Sequence, residues 1–387
     1  MTGGPGNPAG RQNRGASEDP ALVFGMGEQG LVAPDFPPLT TGEVKSVLGE
    51  SGQCGGSAEI EWRSRRPLSA AARIRCDDGR RVVVKRMPAT LRDLPALASE
   101  HAFMAHVRDR GIPVPRVRAV ARDGFSYEIQ ELGVGEDRYR DEFSWSPYHS
   151  VAEAAAGGAM LARLHLASSG FDAPVRAPRP LLAALCTDPV ETIENYAAAR
   201  PPVGRFLAQQ DWRRAWAPLA ARGPVSDLGE RVDALPALWT HDDWHPTNLL
   251  WSGTEITAVL DFGLANRTVA VFDIATAVER FALDWLAPAG TGVVVHTDQL
   301  SAFLRGYCAI RPLDARERDV LPELFPLVHI AYELSEIDYF LTIPPSRRVR
   351  DARIAYRNYF LGRSEWAASA EGKAFTTTLR RLTTECC

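Results

Sequence analysis

The chain has 387 residues, 45% hydrophobic and 24% charged, which suits a globular protein with one large core or two lobes. Its formal net charge of -4 argues against a general nucleic-acid binder, which carries a basic excess. The N-terminus lacks the apolar core of a secretory signal, and no uncharged apolar run is long enough to span a bilayer, so no membrane association is expected. None of the six cysteines is spaced as C-x-x-C, which disfavours a zinc site. They are also too few for a disulfide scaffold, so a reducing, cytoplasmic setting is expected, with Cys386-Cys387 as a free tail.

Residues 1–38, rich in Gly and Pro, predict a flexible arm with a short ordered piece near Leu31-Val32. Thr40 to Glu43 has the form of a capping box, and Val44, Val47 and Leu48 follow at helical spacing, predicting a helix over 41–49. Ala58–Trp62, Ala71–Arg75 and Arg81–Lys85 read as strands, the last two joined by the hairpin signal Asp78-Gly79. Leu94–Arg110 places Leu97, Phe103, Met104 and Val107 on a helix that Gly111-Ile-Pro-Val-Pro115 ends. Two more strands follow at Val117–Ala121 and Phe125–Leu132, then an Ala-rich helix over Val151–Leu166. Residues 168–236 are Pro-broken helical pieces without a readable motif. Later helical regions lie at Val271–Phe281, Thr297–Ile310, Pro322–Leu341 and Ala374–Leu382. Glu333, Glu336 and Asp338 flank the apolar stripe Ile330, Leu334, Ile337 and Leu341, and are expected on a solvated face, the alternative being contact with a cationic acceptor.

The chemistry concentrates in His241-Asp-Asp-Trp-His-Pro-Thr-Asn248 and Asp261-Phe-Gly263. Leu249–Trp251 and Ala258–Leu260 read as a hairpin turning at Ser252-Gly253-Thr254, which would return Asp261 to Asn248 and Asp243. An asparagine and an aspartate offer the hard oxygens that Mg²⁺ shares with phosphates, leaving a second aspartate to meet a hydroxyl. Other schemes lack their motifs: there is no G-x-x-x-x-G-K-[ST], H-E-x-x-H or G-x-S-x-G. Pro246 disfavours a helical His241/His245 metal pair.

This spacing resembles the catalytic loop and metal aspartate of the protein-kinase-like fold, and more closely its aminoglycoside phosphotransferase branch. Lys85 at a strand end, Glu100 on the next helix, the Gly-x-Pro-Val-Pro break and Ala162-Arg-Leu-His165 extend the resemblance over roughly residues 50–340. It implies an α+β, bilobal fold: an antiparallel-sheet N-lobe with one main helix over 39–132, and a larger helical C-lobe over 133–387. It further implies Asp243 as catalytic base, Asn248 and Asp261 as Mg²⁺ ligands, and a Lys85–Glu100 pair at the α- and β-phosphates. Ser69, with help from Arg65 or Arg66, would touch phosphate, although a solvated basic turn explains the arginines equally well. The Gln130 carbonyl and Leu132 amide would meet adenine. Asp273 would hold the catalytic-loop backbone, while His165, His241 and His245 would be structural. The family usually has Gly where this chain has Asp242; the five-residue step to Asn248 selects Asp243 as base and leaves Asp242 for acceptor or solvent. The expected activity is transfer of the γ-phosphate of ATP or GTP to a small-molecule hydroxyl: an antibiotic such as an aminoglycoside, or a metabolite such as an amino alcohol or homoserine. The alternatives are a peptide Ser/Thr acceptor and an inactive nucleotide-binding module.

Overall fold

The computed structural model describes residues 23–24, 31–52, 58–182, 184–220, 227–285, 292–345 and 347–387. Strands β1 (Val23–Phe24) and β2 (Leu31–Val32) pair antiparallel. Helix α1 (Thr41–Glu50) starts at a complete capping box between Thr40 and Glu43. There follow β3 (Ala58–Arg63), β4 (Ala70–Cys76), β5 (Arg81–Pro88), α2 (Leu94–Arg108), β6 (Val117–Arg122) and β7 (Phe125–Glu131). The five strands form one antiparallel sheet in the order β3-β4-β5-β7-β6.

Side-chain alternation decides what this sheet presents to the cleft. Val82 and Val84 of β5 point at α1, where Val44, Val47 and Leu48 are fully buried against Ile74, Tyr127 and Ile129. Each such side chain contributes about 1.5–3 kcal/mol by leaving water. Lys85, one residue out of phase with Val84, therefore faces the opposite side and lines the cleft.

The C-terminal lobe contains α3 (Val151–Ala167), α4 (Pro189–Ala199), α5 (Pro201–Gln209), α6 (Trp212–Ala220) and α7 (Leu228–Asp233). Strand β8 (Ala237–Thr240) pairs with β11 (Asn266–Val269), and between them β9 (Leu249–Ser252) pairs with β10 (Glu255–Val259). Then come α8 (Ala270–Phe281), α9 (Thr297–Cys308), α10 (Ala315–Leu324), α11 (Val328–Thr342), α12 (Val349–Ile354), α13 (Gly362–Ala368) and α14 (Ala370–Cys386). Helix α8 is buried over its whole length. Helices α3 and α9 cross so closely that a Cβ on Gly158 would overlap the Phe303 carbonyl. Among the described residues no helix is long and apolar enough to cross a membrane.

Three expectations need correction. Glu333, Glu336 and Asp338 are buried, not solvated. Helix α11 is enclosed: Glu333 and Asp338 are matched by side chains distant in sequence, and Glu336 lines the cleft. Arg363 Nη1 lies 3.0 Å from Glu333, and Arg200 Nε donates to Asp338 at 2.6 Å. The tail is not free either: Cys387 is disulfide-bonded to Cys308, and Cys76 is also disulfide-bonded. The cysteines therefore no longer argue for a reducing setting. Finally, part of the expected flexible arm is docked. Residues 1–22 and 25–30 lie outside the described residues, but the Asp35 side chain is buried on the C-terminal lobe. Its carboxylate lies 2.5 Å from Arg348 Nε and accepts from the Tyr339 hydroxyl at 3.0 Å. Next to it, Phe36 meets Phe125 of the sheet edge to face, and the Pro37 carbonyl accepts from Arg86 of β5. This segment straps the two lobes together.

Removing one partner of a buried ion pair costs more than the pair contributes, because the remaining charge is stranded. Arg348→Ala should therefore lower unfolding free energy by about 2–3 kcal/mol, below the fully buried case because Arg348 is partly exposed. Asp35→Asn in the same background should recover part of that loss in urea titrations. Additive losses would show that the two residues are not coupled.

Candidate functional site

The site is built on one carboxylate. Asp273 of α8 accepts the backbone amides of His241 at 2.8 Å and Asp242 at 2.9 Å. His165 Nε2 lies 3.0 Å from the same carboxylate, and its Nδ1 meets the Tyr307 hydroxyl at 2.7 Å. Asp273 thus holds the loop backbone and His165 supports it from beneath, as expected for both. From this anchor His241 reaches outward. Its Nε2–H donates to the Leu260 carbonyl at 2.9 Å, which fixes the tautomer, and its Nδ1 accepts the Asp243 amide at 3.2 Å. One imidazole therefore braces both the residue before Asp261 and the backbone of Asp243.

The hairpin performs the return that the sequence suggests. Strands β9 and β10 are joined at Gly253, which has φ of 56°, and the Leu260 amide donates to the Asn248 carbonyl at 2.9 Å. Asn248 commits its side-chain nitrogen to the Asp243 carbonyl at 3.0 Å and to Asp243 Oδ2 at 3.2 Å. That orientation turns the amide oxygen away from Asp243, as a metal ligand requires. Asp261 adopts a left-handed backbone (φ 56°) before the short helix Phe262–Leu264, and its carboxylate enters the cleft. Two protein oxygens, one of them anionic, fit an ion such as Mg²⁺ that completes its octahedron with water and phosphate.

Lys85, Ser69, Gln130, Glu100, Asp243, Asn248 and Asp261 all line a single cleft. Leu132 does not; it follows β7 at the lobe connection and is partly exposed. There the chain packs directly on β9 and β10: a Cβ on Gly133 would sit 2.7 Å from Leu250 and 2.9 Å from Ala258.

The expected Lys85–Glu100 pair is not formed. Lys85 Nζ donates to both oxygens of Asp261, at 3.0 and 3.2 Å. Glu100 is instead held by Arg92 at 2.6 Å and by Arg176. Arg92 precedes the N-cap of α2 and Arg176 arrives from the segment after α3, so two guanidiniums, one from each lobe, occupy the carboxylate. Lys85 is left to Asp261. Burial is the largest influence and opposes its charge, but Asp261 and Glu128 together raise its pKa; burial likewise opposes charge on Asp261, and Lys85 lowers it.

Sequence reasoning missed Arg280. Its Nη2 lies 3.4 Å from Asp243 Oδ1, and His245 Nε2 lies at the same distance from that oxygen. Burial would raise the Asp243 carboxyl, yet His245 and Arg280 hold it well below the usual carboxylate range. Burial pushes the His245 pKa down despite Asp243, so its ring is neutral and braces rather than charges the loop. A signal for Arg280 existed: it stands seven residues, two helical turns, after Asp273 on a mostly apolar helix. Also missed were the cleft walls Phe143, Trp145, Tyr332 and Tyr359. Tyr359 lies in a π-helical segment, Ala355–Leu361, a distortion common at functional sites.

Asp242 meets neither acceptor nor solvent. It is fully buried in a left-handed backbone (φ 58°), and its Oδ2 has no hydrogen-bond partner among the described residues. Burial, then Asp273 beside it, raises its pKa well above 3.8. This favours an uncharged acid.

The fold is that of the kinase-like phosphotransferases. Residues 68–319 match the phosphotransferase enzyme family, and the chain belongs to it. Similar relatives include a homoserine kinase of Chelativorans sp. (strain BNC1), 26% identical over 174 residues, covering 41% of this chain and 51% of that protein. A homoserine kinase of Rhodopseudomonas palustris (strain BisB18) is 27% identical over 266 residues, covering 67% and 72%. The chain thus spans only about half the length of the first of these curated relatives. Among solved structures, amicoumacin kinase hAmiN in complex with AMP-PNP, Ca²⁺ and Ami has a TM-score of 0.50 at 16% identity, covering 83% of this chain and 96% of that one. That likeness concerns the fold.

The Asp242 environment has a measurable consequence. A carboxyl whose folded-state pKa is raised binds its proton more tightly when folded. Its contribution to stability is full below the unfolded value and is lost as pH rises through the folded one. Asp242→Asn, which tolerates the left-handed backbone, removes this dependence. Melting temperatures measured upward from about pH 4 should therefore fall in the wild type relative to the variant. Parallel curves would show that Asp242 is charged in the folded protein.

Proposed function

We propose that the protein transfers the γ-phosphate of ATP or GTP to the hydroxyl of a small molecule. The observation that carries this reading is the convergence of Lys85, Asp243, Asn248 and Asp261 in one cleft between the sheet and the helical lobe. Phosphoryl transfer passes through a loose transition state, so the protein's task is positioning and charge stabilisation. Asp243, held ionised beside Arg280, orients the acceptor hydroxyl and takes its proton late. Asn248 and Asp261 would hold the divalent cation, which when bound neutralises charge on the β- and γ-phosphates. Lys85 serves the α- and β-phosphates, and Ser69 contacts phosphate from the loop between β3 and β4. Glu100 acts at one remove, through Arg92 and the Gly263 carbonyl that Arg92 also holds at 2.6 Å. The Gln130 carbonyl and the Leu132 amide, at the end of β7, are the contacts we propose for adenine. Phe143, Trp145, Tyr332 and Tyr359 wall the cleft and suit a compact acceptor. The relatives named homoserine kinases make hydroxy amino acids the first acceptors to try.

Asp243→Asn should lower kcat by about 10²–10⁴-fold while leaving nucleotide affinity near the wild-type value. A fully active variant would remove Asp243 from the role of base. ATP with Mg²⁺ should raise the melting temperature of the wild type, and EDTA should abolish most of that shift. If neither ATP nor GTP shifts it, the phosphotransferase reading fails.

A further inference from the structure

We infer that Arg66, on the loop between β3 and β4, is the cation that neutralises the γ-phosphoryl group during transfer. This rests on the phosphotransferase reading above and assigns a residue to the step that reading leaves uncompensated: charge at the acceptor end of the triphosphate.

The loop runs Ser64-Arg-Arg-Pro-Leu-Ser69, and its two arginines have different fates. Arg65 is exposed, whereas Arg66 is turned inward and lines the cleft with Lys85, Asp243 and Asp261. The local chain explains the inward turn. The Arg66 amide donates to Ser64 Oγ at 3.2 Å, and Pro67 keeps Arg66 out of helical conformation. Its Nη1 then crosses the cleft to donate to Ser144 Oγ at 3.1 Å. Burial lowers its pKa from the ordinary value of 12.5, against the pull of Asp137, Asp243, Asp261 and Glu142. With arginine's ordinary value so high, the guanidinium stays charged.

Position separates its task from that of Lys85. Lys85 bonds Asp261, the proposed metal ligand, and so marks the nucleotide end of the cleft. Arg66 bonds Ser144, whose neighbour Trp145 stacks on Tyr359 at the opposite wall. It therefore stands where a phosphoryl group would pass from the nucleotide to a hydroxyl at Asp243. In that step the bond between the γ-phosphorus and the bridging oxygen breaks, and its electron pair leaves with the diphosphate. A bond forms to the acceptor oxygen, whose proton goes to Asp243. A planar guanidinium can engage two non-bridging oxygens at once, which a lysine cannot do.

The competing role is mechanical, with Arg66 merely pinning the loop to Ser144. Binding of ADP and of a non-hydrolysable β,γ-imido ATP to the full chain, each with Mg²⁺, distinguishes the two. Arg66→Ala should weaken the imido analogue by about tenfold or more while changing ADP affinity less than about threefold, because only the former carries a γ-phosphate. Ser144→Ala should keep the affinity for the analogue. Arg66→Lys should retain most of that affinity yet lower kcat by about 10²-fold, as loss of a positioned transition-state donor does. Equal weakening of both nucleotides, no weakening of either, or the same loss in Ser144→Ala would overturn the assignment. If the wild type binds neither nucleotide, the phosphotransferase reading falls, and this inference with it.

Discussion

The Asp273 carboxylate is the constraint on which the site depends. It is fully buried, and a buried carboxylate is tolerable only when its lone pairs are satisfied. Here two successive loop amides and an imidazole satisfy them. The reverse dependence matters more for function. Left-handed backbone at Asp242 aims consecutive amides at one acceptor, and that same bend presents Asp243 to the cleft. The close crossing of α3 and α9 supports the anchor from behind by setting His165 against Tyr307. From Asp273 through His241 to Leu260, a few hydrogen bonds relate the proposed base to the proposed metal ligand. Neither position can drift without breaking a bond in a dry interior.

Charge balance explains why such an acidic loop folds. Asp243 and Asp261 would repel one another across the cleft, yet each has its own cation, Arg280 and Lys85 respectively. Keeping Asp243 ionised makes it a weak base, which would be a fault in chemistry that needs early proton abstraction. Loose phosphoryl transfer makes no such demand, because the acceptor proton is lost late. Asp242 resolves the remaining conflict differently. It sits between Asp243 and Asp273 with no ion pair among the described residues, and burial beside Asp273 favours the protonated state. Adjacent aspartates with identical side chains thus hold opposite protonation states, set by what lies within a few ångströms.

What was legible in the sequence follows from the range of the interactions. The β5 alternation that aims Lys85 at the cleft, the α1 capping box and the hairpin between Asn248 and Asp261 are local, and the chain spells them out. The partner of Glu100 is not local. Helical spacing can place that carboxylate toward the cleft, but Arg92 and Arg176 compete with Lys85 for it from segments 8 and 76 residues away. The acids of α11 mislead for the same reason. Acids beside an apolar stripe look solvated until Arg200 and Arg363 arrive from other helices. Cys308 and Cys387, 79 residues apart, carry no local signal for their bond. Arg280 is the exception, since its two-turn spacing from Asp273 was visible in the sequence.

The same distinction between local and distant contacts describes how the lobes are joined. On the connecting side, the chain after β7 is zipped to the hairpin: the Glu136 amide donates to the Trp251 carbonyl at 2.8 Å, and the Trp251 amide returns the bond at 3.1 Å. On another side, the Asp35 strap holds α11 and the Arg348 segment to β5 and β7 of the sheet through Phe36 and Pro37. Between these ties, the Lys85–Asp261 ion pair, the Arg92 and Arg176 contacts around Glu100 and a hydrogen bond from Arg66 to Ser144 join the lobes. The backbone ties and the buried strap need no nucleotide chemistry to explain them. Of these crossings, Lys85 and Arg66 each bring a cation into the cleft that Asp243 and Asp261 line, where a polyphosphate would carry its charge.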